Sequence, residues 1–451
     1  MAFAVLGGGC SSPAADGQLG NRNVFPAIEA PFPQVPYRGG GLFASPQIVT
    51  VTFEGDSLAV DLEAFGDSIT QSQWWTDVTA EYCIPSSTEC ITAGTESPQP
   101  HVVLQSSPEA TITSDGTKAL ITGGIASGQF PAPTPDTLYV LYYPSSSKLE
   151  TSLADSLFHQ GEQCQTIGGF HAALPSAANP TGGGPIAYAI VFECPAGDRF
   201  ASTLDYVTFS AAHEIVEAAT DPGAGETGTG FMLPDSSPWA SFAAGGELAD
   251  LGQIDFLAQP AGATGYLRTA STSTGSYVVP RIWSNSAAKG GGDPNRPQVA
   301  GETYFNVAVE QGDSAPTLKK GDVATFKATA FSTAPMSWDV STVTYDAIGS
   351  SPALSVAVST TSVENGDPLS VTVTVLQEPI TDSYYSFAVV STANEQSHAW
   401  PGAILVEGAL RCDCDAGQEV SWSTNGRAGA LVIALLVLGK RRKTRPTGRP
   451  R

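Results

Sequence analysis

The chain has 451 residues, enough for two or three domains of ordinary size that each bury a core. Charged residues make up only 14% and the formal net charge is −23, which argues against nucleic acid or anionic lipid as a partner for the body of the protein, since both require basic patches. The 47 glycines and 33 prolines fit a loop-rich extracellular protein better than a helical cytosolic one; metal cations or neutral polymers are the easier partners, and the expected partner is an extracellular polypeptide or matrix polymer.

The first residues, MAFAVLGGGCSS, form a short apolar run ending in small residues and Cys10. The run resembles the cleavage box of a bacterial lipoprotein, in which that cysteine is lipidated. It lacks a basic n-region, which points to a start site further upstream. Residues 1–40 read as this truncated signal followed by a Gly- and Pro-rich linker.

PQIVTVTFEG (46–55) alternates apolar and polar residues up to a glycine and predicts a strand. DLEAFGDSITQSQWWTDVTAEY (61–82) spaces Leu62, Phe65, Ile69 and Trp75 as one helix face. Its FGDSIT block is similar to the nucleophile block of GDSL-type esterases, with Ser68 as nucleophile and Glu395 and His398 of EQSH at the right mutual spacing. The block lies in a predicted helix, and no G-x-N-D block follows to supply an oxyanion donor, so the esterase is a minor alternative. TLYVLYYP (137–144) and IAYAIVFEC (186–194) predict buried strands. Of the seven cysteines, Cys83 with Cys90 can close a small loop and Cys164 with Cys194 a larger one, as suits an oxidising compartment.

AAHEIVEAATDP (211–222) predicts a helix capped at Thr203 or Ser210 and stopped at Asp221 by Pro222. On such a helix His213 and Glu217 share a face, and both are competent zinc ligands. Glu214 stands beside them, placed to accept a proton from a metal-bound water. Candidates for the third ligand are Glu247 or Asp250 of GGELADLG, and alternatively His171 of GGFHAALP or Asp221. A carboxylate where a zinc-protease helix has its second histidine makes the site more anionic. Zn2+ is the first expectation, with Ca2+ or Mn2+ also open. The competing reading is a solvated helix face with no metal.

Five segments in order, GGFHAAL, IAYAIVFECP, TFSAAHEIVEAATDP, GGELADLG and VVPRIWSN, resemble the bacterial relatives of the plant EXORDIUM, or phosphate-induced, proteins. The likeness spans residues 45–290. It implies a zincin-like α+β domain over 41–295, with His171, His213, Glu214, Glu217, Asp221, Glu247 and Asp250 on matching positions. Leu251 stands where relatives often carry a cysteine, and no cysteine follows the WSN segment. The family is associated with the extracellular matrix, so the resemblance implies a site geometry more than a reaction.

From residue 296 the texture changes to short alternating runs, among them FNVAVEQG, DVATFKATAF, LSVTVTVLQ and YYSFAVVSTA, which predict an all-β immunoglobulin-like sandwich over 296–410. In the last segment, 411–451, cysteines Cys412 and Cys414 precede a short apolar stretch and a cluster of seven Lys and Arg beginning at Lys440. This tail resembles the myxobacterial MYXO-CTERM sorting signal, which implies processing at Cys412 or Cys414. The expectation is therefore an exported protein at the cell surface or outer membrane, membrane-associated through its termini only. Its function is either that of a metal-dependent, peptidase-type hydrolase or that of a non-catalytic matrix or adhesion protein with a structural metal.

Overall fold

A computed structural model describes residues 22–408 and 430–432, except 96–97, 151–163, 165–166, 224–229, 244, 259–265, 345–346, 349–350 and 380–381. Cys10, Cys412, Cys414 and the basic end lie outside the described residues. The fold is mixed α+β, an α/β half followed by a β-sandwich.

The first half is built on β1 (Gln47–Phe53), β2 (His101–Leu104), β3 (Thr137–Pro144), β4 (Ile167–Leu174) and β5 (Ile186–Glu193). Their order is β2-β1-β3-β5-β4, and a short strand at Ala430–Val432 pairs with the outer edge of β4. The first four strands in that order run parallel, and β4 runs antiparallel to β5. Parallel strands are covered on both faces, so β1, β3 and β5 are buried almost end to end, as their unbroken apolar runs predict.

Side chains alternate between the two faces. Val49, Val51, Tyr139, Leu141 and Ile190 share one core with Ile121 and Ile125 of helix α3 (Ser114–Ser127). Ile48, Leu138, Val140 and Ala189 face the other core, with α1 (Ala59–Ser68) and α4 (Thr203–Thr220). The helix expected over 61–82 is two: α1 ends in a 3-10 turn at Ile69–Gln71, and α2 (Gln73–Thr79) restarts where Ser72 Oγ accepts from the Trp75 amide at 3.1 Å. A capping serine in extended conformation outweighs the continuous apolar spacing. The cap of α4 is Ser202, not Thr203 or Ser210; its hydroxyl accepts from Asp205 N at 3.1 Å. The helix stops at Asp221 as expected.

Three short helices follow, α5 (Pro238–Ala243), α6 (Leu248–Gly252) and α7 (Ile254–Ala258), then the hairpin of β6 (Arg268–Ser271) and β7 (Ser276–Val279). The two disulfides expected from spacing, Cys83–Cys90 and Cys164–Cys194, are both formed.

The sandwich consists of β8 (Phe305–Val309), β9 (Thr317–Leu318), β10 (Val323–Ser332), β11 (Ser337–Thr344), β12 (Leu354–Val358), β13 (Ser362–Glu364), β14 (Pro368–Val375), β15 (Ser383–Ala393) and β16 (Gln396–Val406). One sheet is ordered β8-β10-β14-β12 and the other β9-β16-β15-β11-β13. Strand β14 alternates as an ordinary sandwich strand, with Leu369, Val371, Val373 and Val375 inward. Strands β15 and β16 are instead buried on consecutive residues through their middles, because their outer face carries α5 and α7. Gly402 is required there: a Cβ would lie 2.1 Å from the ring of Phe387, its cross-strand partner.

The two halves therefore share one core. Phe32 and Trp400 have ring centroids 5.1 Å apart, and Trp239 stands 5.1 Å from both Trp283 and Trp400. Residues 22–40, expected to be part of a linker, run through this seam: Phe32 and Val35 are buried, and Val35 exchanges two 2.8 Å hydrogen bonds with the side chain of Asn285. Composition misled here because a Pro-rich segment needs only a few well-placed apolar residues to bury itself. No helix among the described residues is long and apolar enough to cross a membrane.

Candidate metal centre

Helix α4 is buried from Tyr206 to Thr220, so its polar residues cannot reach water and must meet partners inside the protein. His213, Glu214 and Glu217 lie on its inner part with essentially no exposure. The solvated-face reading of the motif therefore fails. Opposite stands β4, which the sequence did not single out as a strand. Its residue His171 is the register partner of Ala189, a residue of the α4-side core, so the imidazole is delivered to the same face. The third wall is the N-terminal turn of α6. Glu247 occupies the N-cap position yet makes no side-chain capping bond, and Asp250 follows in the first turn; both are buried.

His213 Nε2 lies 3.0 Å from Glu217 Oε1 and 3.6 Å from Asp250 Oδ1. His171 Nδ1 lies 3.5 Å from Glu217 Oε2 and 3.6 Å from Glu214 Oε2, while its Nε2 is 3.5 Å from Glu247 Oε1. Both nitrogens of both histidines, both oxygens of Glu214, and Glu217 Oε2, Glu247 Oε2 and Asp250 Oδ2 have no hydrogen-bond partner. Buried polar atoms are rarely orphaned in such numbers. Donor atoms bonded tetrahedrally to one ion at about 2.0–2.2 Å lie about 3.3–3.6 Å from one another; His213 Nε2 to Asp250, and each ring nitrogen of His171 to its own carboxylates, fall in that range, and the ligand atoms of each three-residue group lie within 4.8 Å of one another. The donor set and its spacing thus fit a divalent cation. Asp221 caps the end of α4, its amide donating to Glu217 O at 2.7 Å; it stands beside the cluster and belongs to neither ligand group.

The electrostatics are those of mutually dependent charges. Burial disfavours the charged form of both histidines, but Glu247, Glu214 and Glu217 around His171, and Glu217 and Asp250 around His213, outweigh it and hold both well above the usual imidazole range. Burial likewise opposes ionised Glu217, yet the two histidines draw its pKa down to about 2. Burial and the charge of Glu217 push Asp250 up to about 8, and burial raises Glu214 and Glu247. Without a cation, protons are what neutralise the cluster.

The glycines of the flanking motifs have a steric reason. A Cβ on Gly245 would fall 1.7 Å from Asp250 Oδ2, and one on Gly169 would approach Glu214 Oε1 to 3.2 Å. Gly245→Ala is expected to weaken divalent-cation binding at least about tenfold, or roughly 1.4 kcal/mol, by displacing the Asp250 carboxylate. Calorimetric titration checks this, and unchanged affinity would remove Asp250 from the ligand set.

Ser68 and His398 are not brought together as an esterase requires. Ser68 sits at the end of α1 with its Oγ bonded to Ala64 O at 2.9 Å and Thr272 Oγ1 at 2.8 Å. His398 is committed to Asp255, Nδ1 to Oδ2 at 2.9 Å, and its ring centroid lies 4.4 Å from that of Tyr304. Glu395 is in a turn with positive φ between β15 and β16. The match to the esterase block is one of sequence alone.

Away from the centre, burial and the neighbouring Asp56 raise half-buried Glu193 to about 8. A carboxyl group with a raised folded pKa keeps its proton while the unfolded chain ionises, so stability falls as pH rises from about 4.5 to 8. Glu193→Gln should flatten that slope, gaining about 1 kcal/mol at pH 8 relative to pH 5 once solvent screening is allowed for. Urea unfolding at the two pH values measures it.

No protein-family model matches the chain, and no curated protein matches it. Solved structures with partial likeness include domains 4 and 5 of the S-layer protein SbsC, 15% identical over 31% of this chain and 64% of that one, with a TM-score of 0.18. The titin M3 domain is 12% identical over 23% of this chain and 96% of that one, TM-score 0.16. The SrpA adhesin from Streptococcus sanguinis is 12% identical over 25% of this chain and 61% of that one, TM-score 0.19. This chain spans less than two-thirds of the SbsC and SrpA chains, and at these values no neighbour's role transfers to it.

Proposed function

We propose that this is an exported surface protein whose α/β half is held together by a buried metal ion, and which does matrix or adhesion work through its surface and its sandwich. The observation that carries the reading is the cluster of fully buried His and carboxylate side chains with unpaired donor atoms. Such a set is costly empty and stable when it binds a cation. His213, Glu217 and Asp250 would hold the ion on the α4 side, with His171 and Glu247 as the other group. Burial favours a structural centre, since a catalytic one keeps a position open to substrate. The two disulfides support an oxidising compartment. The composition and the terminal segments support export. Elemental analysis of the purified chain tests the reading, which fails if zinc, manganese, iron and calcium are all absent at stoichiometric levels.

A second reading, a zincin-like metallopeptidase, is favoured by Glu214. Its two carboxylate oxygens are unpaired beside the ligand groups and its pKa is raised by burial, as befits a residue that takes a proton from water. The mixed sheet, with β4 antiparallel to β5 and a ligand-bearing helix packed behind it, supports the same reading. If Glu214→Gln leaves a broad peptide-cleavage screen unchanged while metal is retained, the peptidase is ruled out and the structural centre stands.

A further inference from the structure

The cluster contains more ligands than one structural ion uses, and they divide in two. One group is His213, Glu217 and Asp250; the other is His171, Glu217 and Glu247. Glu217 belongs to both, and with different atoms: Oε1 lies 3.0 Å from His213 Nε2, and Oε2 lies 3.5 Å from His171 Nδ1. Its Oε1 also accepts from the Asp250 amide at 3.1 Å, which fixes the plane of the carboxylate between the two groups. From this geometry we infer that the centre is dinuclear, holding two divalent cations bridged by the carboxylate of Glu217. The inference rests on the metal-centre reading above and deepens it.

Charge supports two ions over one. Glu214, Glu217, Glu247 and Asp250 together bring four negative charges when ionised, and all four are buried. One divalent ion leaves two of those charges uncompensated in a dry interior, where an unpaired charge costs several kcal/mol. Two divalent ions balance them with both histidines neutral, the form in which imidazole coordinates. A carboxylate bridging through its two oxygens holds ions about 3.5–4 Å apart. Two imidazoles among carboxylates suit zinc, manganese or iron and place soft ions at a disadvantage. Glu214, in neither group but 3.6 Å from His171 Nδ1, is positioned to complete the coordination of the His171 ion.

The test uses the full chain, stripped with chelator and titrated with Mn2+ or Zn2+. Elemental analysis after gel filtration should find two ions per chain. Mn2+ loading should give the exchange-coupled paramagnetic resonance spectrum of a bridged pair in place of that of isolated ions. Asp250→Asn and Glu247→Gln should each reduce the stoichiometry to one and abolish the coupled spectrum, with circular dichroism confirming the fold. Saturation of the unaltered chain at one ion overturns the dinuclear assignment and leaves the metal-centre reading intact. Binding of none overturns both. Two ions with no magnetic coupling overturn the Glu217 bridge, and these wild-type measurements hold even where a variant fails to fold.

Discussion

Stripping the protein with EDTA is expected to lower its melting temperature by about 3–5 °C near neutral pH, with recovery on adding back Zn2+ or Mn2+. A ligand present at 100 to 1,000 times its Kd stabilises the folded state by about 2.7–4.1 kcal/mol, and a cooperative unit of about 400 residues, at about 2.1 cal/mol/K of unfolding entropy per residue, shifts about 1 °C per kcal/mol. The physical cause is local. His171, His213, Glu214, Glu217, Glu247 and Asp250 are buried, and a folded chain that lacks the cation must neutralise them with protons. The sign of the pH dependence follows. Raised His171 and His213 stabilise the stripped protein while protonated and lose that contribution as pH rises through their folded pKa values. Asp250, raised to about 8, costs stability as pH climbs from 3.8 towards that value. Both effects weaken the stripped form on going from about pH 6 to about pH 8, whereas bound cation replaces the protons, so the gap between loaded and stripped protein should widen. Calorimetry of both forms at the two pH values measures it; coincident melting curves would mean that the cluster holds no ion.

Trp400→Ala should cost about 3–5 kcal/mol, the range for deleting a large buried aromatic side chain. Its ring meets Phe32 and Trp239 at 5.1 Å and Phe331 at 6.1 Å, residues drawn from both halves of the molecule. Beneath it, Asp255 of α7 accepts from His398 Nδ1 at 2.9 Å and from the Ala399 amide at 3.1 Å, a buried polar pin between the α/β half and β16. The unaltered chain should therefore unfold in one transition, and Trp400→Ala should weaken both halves or split that transition in two. If the variant melts the sandwich earlier and leaves the metal-dependent melting unchanged, the halves are thermodynamically independent despite their shared core. Asp255→Asn, which keeps the shape and removes the charge, should give the same pattern with a smaller loss of about 1–3 kcal/mol.

Much of the α/β half could be read from residue pattern. The apolar runs at 137–144 and 186–194 are the central parallel strands, and Pro222 marks the end of α4. The spacing of His213 and Glu217 put both on one helix face, and cysteine spacing identified both disulfides. Less could be read where burial reverses the meaning of composition. GGFHAAL is weak as a strand by propensity, with two glycines and two alanines over nine positions counting Ile167 and Pro175, yet it forms the antiparallel strand beside β5 because small residues let α4 approach closely. The Gly245–Gly246 pair carries no ligand of its own, yet a Cβ on Gly245 would fall 1.7 Å from Asp250 Oδ2 and one on Gly246 would fall 2.7 Å from Leu233 O.

What the sequence by itself determined is local and periodic: which runs alternate, where helices stop, and that a histidine and two glutamates share a stretch of helix. Whether those three residues faced water or each other was left open, because an amphipathic face and a buried ligand set have the same spacing. The tertiary structure decided it. The register of β4 on β5 aims His171 at α4, and the turn before α6 carries Glu247 and Asp250 to the opposite side. These residues are separated by tens of positions along the chain, so their convergence depends on packing the whole domain and not on any one segment.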